Sequence, residues 1–103
     1  MKVKWTEHSL SERNHVANYI RRQFGPNRKI CFLQEVRQTT KLLKTHPNLG
    51  LIDPLFNDRP QTYRSVIING LSKMVYRIDG DIISIVGFWD TRCEPEKQAK
   101  RVK

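Results

Sequence analysis

Much of what small proteins use for chemistry is scarce in these 103 residues. There are two cysteines, Cys31 and Cys93, far apart and without a CxxC spacing. That spacing fits two reduced thiols better than a disulfide framework or a zinc site, with Cys31 expected in the core and Cys93 at the surface. The three histidines, His8, His15 and His46, form no cluster with metal-ligand spacing, so no metal and no cofactor are expected. The five glycines do not gather into a phosphate-binding loop, and no nucleophile–base pair is evident. No apolar run approaches the ~18 residues of a membrane span, and no signal-peptide core follows Met1 and Lys2. A cytoplasmic protein with no membrane partner is the expectation. Acidic residues are also in short supply: 10 Asp and Glu face 19 Lys and Arg, for a net charge of +9. Such a balance favours polyanions such as RNA, DNA or an acidic protein, without choosing among them.

What is present is the patterning of one ordinary globular domain over 1–103, with a polar, basic tail from about 94 to 103. Lys2–Trp5 alternates polar and apolar and reads as a short strand. Ser9 and Glu12 have capping-box spacing, after which Leu10, Val16, Ala17, Ile20 and Phe24 recur on one helical stripe. Gly25 ends that helix and Pro26 opens a second, whose stripe of Ile30, Leu33, Val36, Thr40 and Leu43 runs to about Thr45. The two form an antiparallel hairpin. Between His46 and Pro60 no period is visible, and a loop is expected.

From Tyr63 to Arg92, three apolar runs are separated by Asn69-Gly70 and Asp79-Gly80, dipeptides suited to two-residue type I′ turns. Counting outward predicts that Ile68 faces Leu71, Lys73 faces Val86 and Ile78 faces Asp81. Tyr63, Ser65, Ile67, Met74, Tyr76, Ile83, Ile85, Gly87 and Trp89 would then share one face. Arg64, Val66, Lys73, Val75, Arg77, Val86, Phe88, Asp90 and Arg92 would share the other. The expected fold is α+β, in the order β-α-α-β-β-β, with the strand and helical hairpin packed on one face of an antiparallel sheet. The face gathering four cations would lie open, and an open apolar face of that kind binds a partner.

The chain resembles the RelE/ParE superfamily of toxins from bacterial type II toxin–antitoxin pairs. The likeness covers nearly all of it: VKWTEHSLSERNHVANYI, FGPNRKICFLQEV, THPNLG and, most strongly, LSKMVYRIDGDIISIVGFWDTRCEP. The resemblance implies a small basic toxin wrapped by a cognate antitoxin in a hetero-oligomer. It also implies one of two activities on a shared scaffold: ribosome-dependent mRNA cleavage, as in the RelE-like branch, or inhibition of DNA gyrase, as in the ParE-like branch.

For metal-free cleavage, a ribose 2′-hydroxyl attacks the adjacent phosphate, and the enzyme stabilises the charge that develops. Arginine suits that task because its planar fork donates two bonds and stays charged. By resemblance Arg64, Lys73 and Arg92 occupy basic positions of the family, and the counted register puts all three on one face. They are the candidate catalytic and nucleic-acid-binding cations, with Arg77 positioning phosphate and Asp90 orienting Arg92 or acting as a base. Solvated cations on an exposed strand face would have the same pattern. Nothing after Tyr76 is Tyr or His, so the C-terminal proton donor usual in RelE-like nucleases is missing, and Tyr76 itself falls on the core face. Endoribonuclease activity on ribosome and mRNA is the preferred expectation, and non-catalytic inhibition of gyrase the alternative.

Overall fold

The architecture follows from where each apolar stripe finds cover. The structure is a computed structural model that describes residues 1–91, 100 and 102. Its elements are β1 (Lys2–Trp5), α1 (Glu7–Phe24), α2 (Pro26–Thr45), β2 (Leu51–Ile52), a 3₁₀ turn (Pro54–Phe56), β3 (Tyr63–Ile68), β4 (Ser72–Asp79) and β5 (Ile82–Asp90). The strands form one sheet in the order β1-β5-β4-β3-β2. The expected α+β fold is present, with two differences. β1 runs parallel to β5, making the sheet mixed, and the segment read as loop supplies a fifth strand, β2, antiparallel to β3. Among the described residues no helix is long and apolar enough to cross a membrane.

The helices begin and end on local signals. Thr6, not Ser9, caps α1, its side-chain oxygen accepting from the Ser9 amide at 3.1 Å. Ser9 is fully buried, and its hydroxyl lies 2.9 Å from the Ile85 carbonyl of β5. Gly25, at φ 94°, closes α1 and precedes Pro26 at the start of α2, a left-handed conformation that glycine adopts without strain. Ala17, Phe32, Val36 and Leu43 then pack on Ile68, Met74, Tyr76, Ile83, Ile85 and Phe88. Phe24 and Ile30, expected on the buried stripes, flank the hairpin turn and are exposed, as is Cys31.

The strand register departs from the counted one in three places. At the first turn Asn69 and Gly70 both take positive φ, and the Leu71 amide returns to the Ile68 carbonyl, as a type I′ turn requires. Leu71 does not enter the ladder, however: its carbonyl accepts from the Thr91 amide, and Ser72 pairs with Ile68. Every residue of β3 therefore changes face. Val66 and Ile68 turn under the helices, and Tyr63 and Ile67 turn away. Register follows burial, and this slip encloses Ile68 at the expense of Ile67.

At the second turn the loop is Gly80-Asp81, so that Asp79 pairs with Ile82, Ile78 with Ile83 and Tyr76 with Ile85. This two-residue shift preserves the faces, but the register breaks again between Val75 and Tyr76, where Val75 pairs with Gly87 and leaves Val86 as the extra residue of a bulge. Beyond it Phe88 faces the helices and Trp89 faces away, the reverse of simple alternation. Glu12, expected to complete a capping box, instead accepts from the Phe88 amide at 3.3 Å, next to this bulge.

The second face of the sheet is covered. Phe56, Tyr63, Val75, Val86, Trp89 and Val102 form a second apolar cluster there, with Leu55 packed against it. The expected open face is thus the floor of a smaller core, roofed by the segment after β2.

Candidate functional site

The residues assigned to chemistry divide between the two sides of the sheet. Arg64, moved by the slip, pairs with Tyr76 on the helix side. Its Nη1 donates to the Gly50 carbonyl at 2.8 Å. Tyr76 is fully buried; its hydroxyl donates to the Pro47 carbonyl at 2.7 Å and accepts from the Gly50 amide at 2.9 Å. Burial pushes the phenol above its ordinary value of 10.0, a shift that the Gly50 amide and the nearby Arg64 partly offset. Gly50 is required by space: a Cβ there would stand 2.8 Å from Tyr76 Cε1 and 2.9 Å from the Ser65 carbonyl oxygen. Together these groups clasp the chain leaving α2 onto the sheet.

Lys73 stays on the far face, where its Nζ lies 2.7 Å from Asp53 Oδ2, the two side chains 13% and 3% exposed. Asp53 is locally fixed as well: Oδ1 accepts from the Leu55 amide at 3.0 Å, capping the 3₁₀ turn, and its own amide donates to the Tyr63 carbonyl at 2.9 Å. A carboxylate this enclosed is stable only when paired. The pair therefore fastens the cover of the second core to β4. Sequence reasoning did not single out Asp53, although Asp53-Pro54 is a helix-start signal that could have marked it.

Arg77 shares the far face with Lys73. Its Nε donates to Asp79 Oδ2 at 2.9 Å and its Nη1 to the Tyr63 hydroxyl at 3.2 Å, and both bonds raise the guanidinium above its ordinary value. Asp79 is lowered by the same arginine and by the Ser84 hydroxyl, which donates at 3.0 Å. Asp90 ends β5, half-buried and opposite Ser72. Arg92 lies outside the described residues, as do Cys93 and most of the basic tail. His46 is exposed at the end of α2, its Nδ1 2.9 Å from the Thr45 hydroxyl. The structure thus keeps Lys73 and Arg77 on one face and puts Arg64 on the other.

The two sheet edges differ in kind. Outer strand β1 carries exposed Lys2 and Lys4, charges that discourage pairing with another chain. The opposite edge has the two-residue β2, with Leu51 81% and Ile52 58% exposed, next to Ile67 at 52% and Leu71 at 60%. Patches of this kind mark binding surfaces more often than bare solvent contact.

A comparison of the chain with protein families matches residues 3–95 to the ParE toxin of the type II toxin–antitoxin system parDE. None of the curated proteins compared with it matches. Among solved structures it is similar to one described as a chromosomal ParDE toxin–antitoxin system from P. aeruginosa, with a TM-score of 0.70 at 20% identity, covering 87% of this chain and 95% of that one. At that identity the likeness supports the fold. The mixed sheet, the helical hairpin and the family match over nearly the whole length agree, and the chain belongs to the ParE toxin family of type II toxin–antitoxin systems.

Proposed function

We propose that this ParE-family toxin acts by binding, as a non-catalytic inhibitor of DNA gyrase, and not by cutting mRNA on the ribosome. The observation that carries the reading is the engagement of the two described cations assigned to catalysis. Lys73 is neutralised by buried Asp53, and Arg64 is bonded to the Gly50 carbonyl on the opposite side of the sheet. A phosphorane needs converging, uncommitted donors, and electrostatic stabilisation depends on aiming them beforehand. In this account Arg92 and Asp90 take no part in mRNA cleavage. The resemblance supplies gyrase as the target, and net charge supplies affinity for an acidic or nucleic-acid-bearing assembly.

The cognate antitoxin is the natural occupant of the apolar edge at β2 and β3, where an extended segment adds a strand and buries Leu51, Ile52 and Ile67. Lysine at position 51 or 67 would weaken that complex.

Purified toxin added to a gyrase supercoiling reaction, and separately to translating ribosomes with a defined mRNA, tests the activity. Loss of supercoiling with mRNA left intact is the expected outcome. Cuts at A-site codons with supercoiling unaffected would return the nuclease reading.

A further inference from the structure

Between α1, α2 and β1 lies a half-open cavity of about 250 Å³, lined by Trp5, Arg13, Leu33, Val36, Arg37 and Thr40. It is on the helix side of the sheet, and Lys73 is on the other. The Arg13 guanidinium rests 5.1 Å over the Trp5 ring and donates from Nη2 to Asn14 Oδ1 at 3.0 Å. That leaves its Nε buried and without an acceptor, which native proteins seldom tolerate. Arg37, exposed, reaches the same cavity from α2. Among the described residues neither guanidinium is in an ion pair, and no carboxylate lines the space. Glu12, adjacent to Arg13 in sequence, accepts from the Phe88 amide and lies within ion-pair distance of His8. The Thr40 hydroxyl donates to the Arg37 carbonyl at 2.8 Å, so the guanidiniums supply the charge-bearing donors.

We propose that this cavity binds a phosphate monoester dianion, with the Arg13 and Arg37 guanidiniums as its donors and Trp5 holding Arg13 in place. Two full positive charges match the charge of about −1.5 to −2 on such a group at neutral pH. A carboxylate would leave one of them uncompensated. Guanidinium forks fit phosphate oxygens in geometry as well as in charge. The cavity lies just below the roughly 300–1,000 Å³ of drug-sized sites, room for phosphate and a small organic group. Inorganic phosphate and a phosphorylated small molecule share this chemistry. The inference is independent of how the toxin acts on its target.

The Trp5 indole N–H resonance, assigned with Trp5→Phe, reports on the site. The full chain is titrated with inorganic phosphate, with adenosine monophosphate and with acetate, at constant ionic strength. The expected result is a saturable shift with phosphate or the monophosphate, weakened about tenfold or more in Arg13→Gln and in Arg37→Gln and unchanged in Arg28→Gln, at an exposed arginine in the first turn of α2 that does not line the cavity. Tighter binding of the monophosphate would identify a phosphorylated small molecule as the ligand, and equal binding free phosphate. Arg37 is exposed, so Arg37→Gln keeps the test informative even if Arg13→Gln unfolds. A shift no different from that with acetate, or one that survives in an Arg37→Gln protein of unchanged melting temperature, would overturn the proposal.

Discussion

Replacing Lys73 by methionine removes the ammonium and keeps most of the side-chain volume, leaving the Asp53 carboxyl only 3% exposed without its counter-charge, with the Leu55 amide still bonded to it. Stranding one partner of a buried pair costs about 3–5 kcal/mol, a large share of the roughly 5–15 kcal/mol by which domains are stable. At about 4–8 °C per kcal/mol for a domain near this size, the lower figure already corresponds to a fall of about 12–24 °C in melting temperature. Asp53→Asn keeps an acceptor for the Leu55 amide and removes the charge. The double variant Asp53→Asn/Lys73→Met should therefore regain at least about 2 kcal/mol over Lys73→Met alone, since breaking a pair is costly and replacing both partners is not. Urea denaturation followed by circular dichroism measures all four corners of the cycle. A Lys73→Met protein within about 1 kcal/mol of wild type would mean a solvent-screened contact, and a double variant no better than the single would refute the pairing argument.

Two other substitutions probe the bulge and the clasp. Gly87→Ala drives a Cβ into the Trp89 indole on the same face of the bulge and should cost about 1–3 kcal/mol by urea denaturation, whereas a neutral effect would mean the bulge is not packed this way. Tyr76→Phe removes the hydroxyl between the Pro47 carbonyl and the Gly50 amide, leaving both groups short of a partner for about 1–3 kcal/mol. Because the folded phenol titrates above its ordinary value of 10.0, its contribution is fully present below that pH and is lost as pH rises through the folded value. The stability difference between wild type and Tyr76→Phe should therefore shrink above pH 10, and a constant difference would contradict the assignment.

The sequence carried the element order because its signals are local: the apolar stripes, Gly25-Pro26 and the alternation of Lys2–Trp5. It carried the Asn69-Gly70 turn for the same reason and placed the second turn one residue early, at Asp79-Gly80 where the loop is Gly80-Asp81. It did not carry face assignment through the meander, since that depends on one residue at each irregularity. Leu71 leaves the ladder to bond Thr91, a contact between the ends of two strands that no dipeptide preference encodes. Val86 bulges where Gly87 admits the Trp89 ring, and an isolated glycine in a strand is the only local hint of it. The clustering of Arg64 with Lys73 rested on that parity and dissolves with it. Asp53 was passed over because the loop around it has no period, and its importance appears only when Lys73 arrives from a strand twenty residues away. The phosphate-sized cavity has a similar origin: Arg13 and Arg37 look like ordinary surface charges until the helical hairpin brings them to one space.

The measurement closest to the central claim is the growth of cells induced for the Asp53→Asn/Lys73→Met toxin without antitoxin. If Lys73 serves the fold and the toxin acts by binding gyrase, this variant stays folded and still arrests growth, with supercoiling impaired and mRNA intact. A variant with wild-type melting behaviour that no longer arrests growth would contradict the account and return Lys73 to the reacting centre.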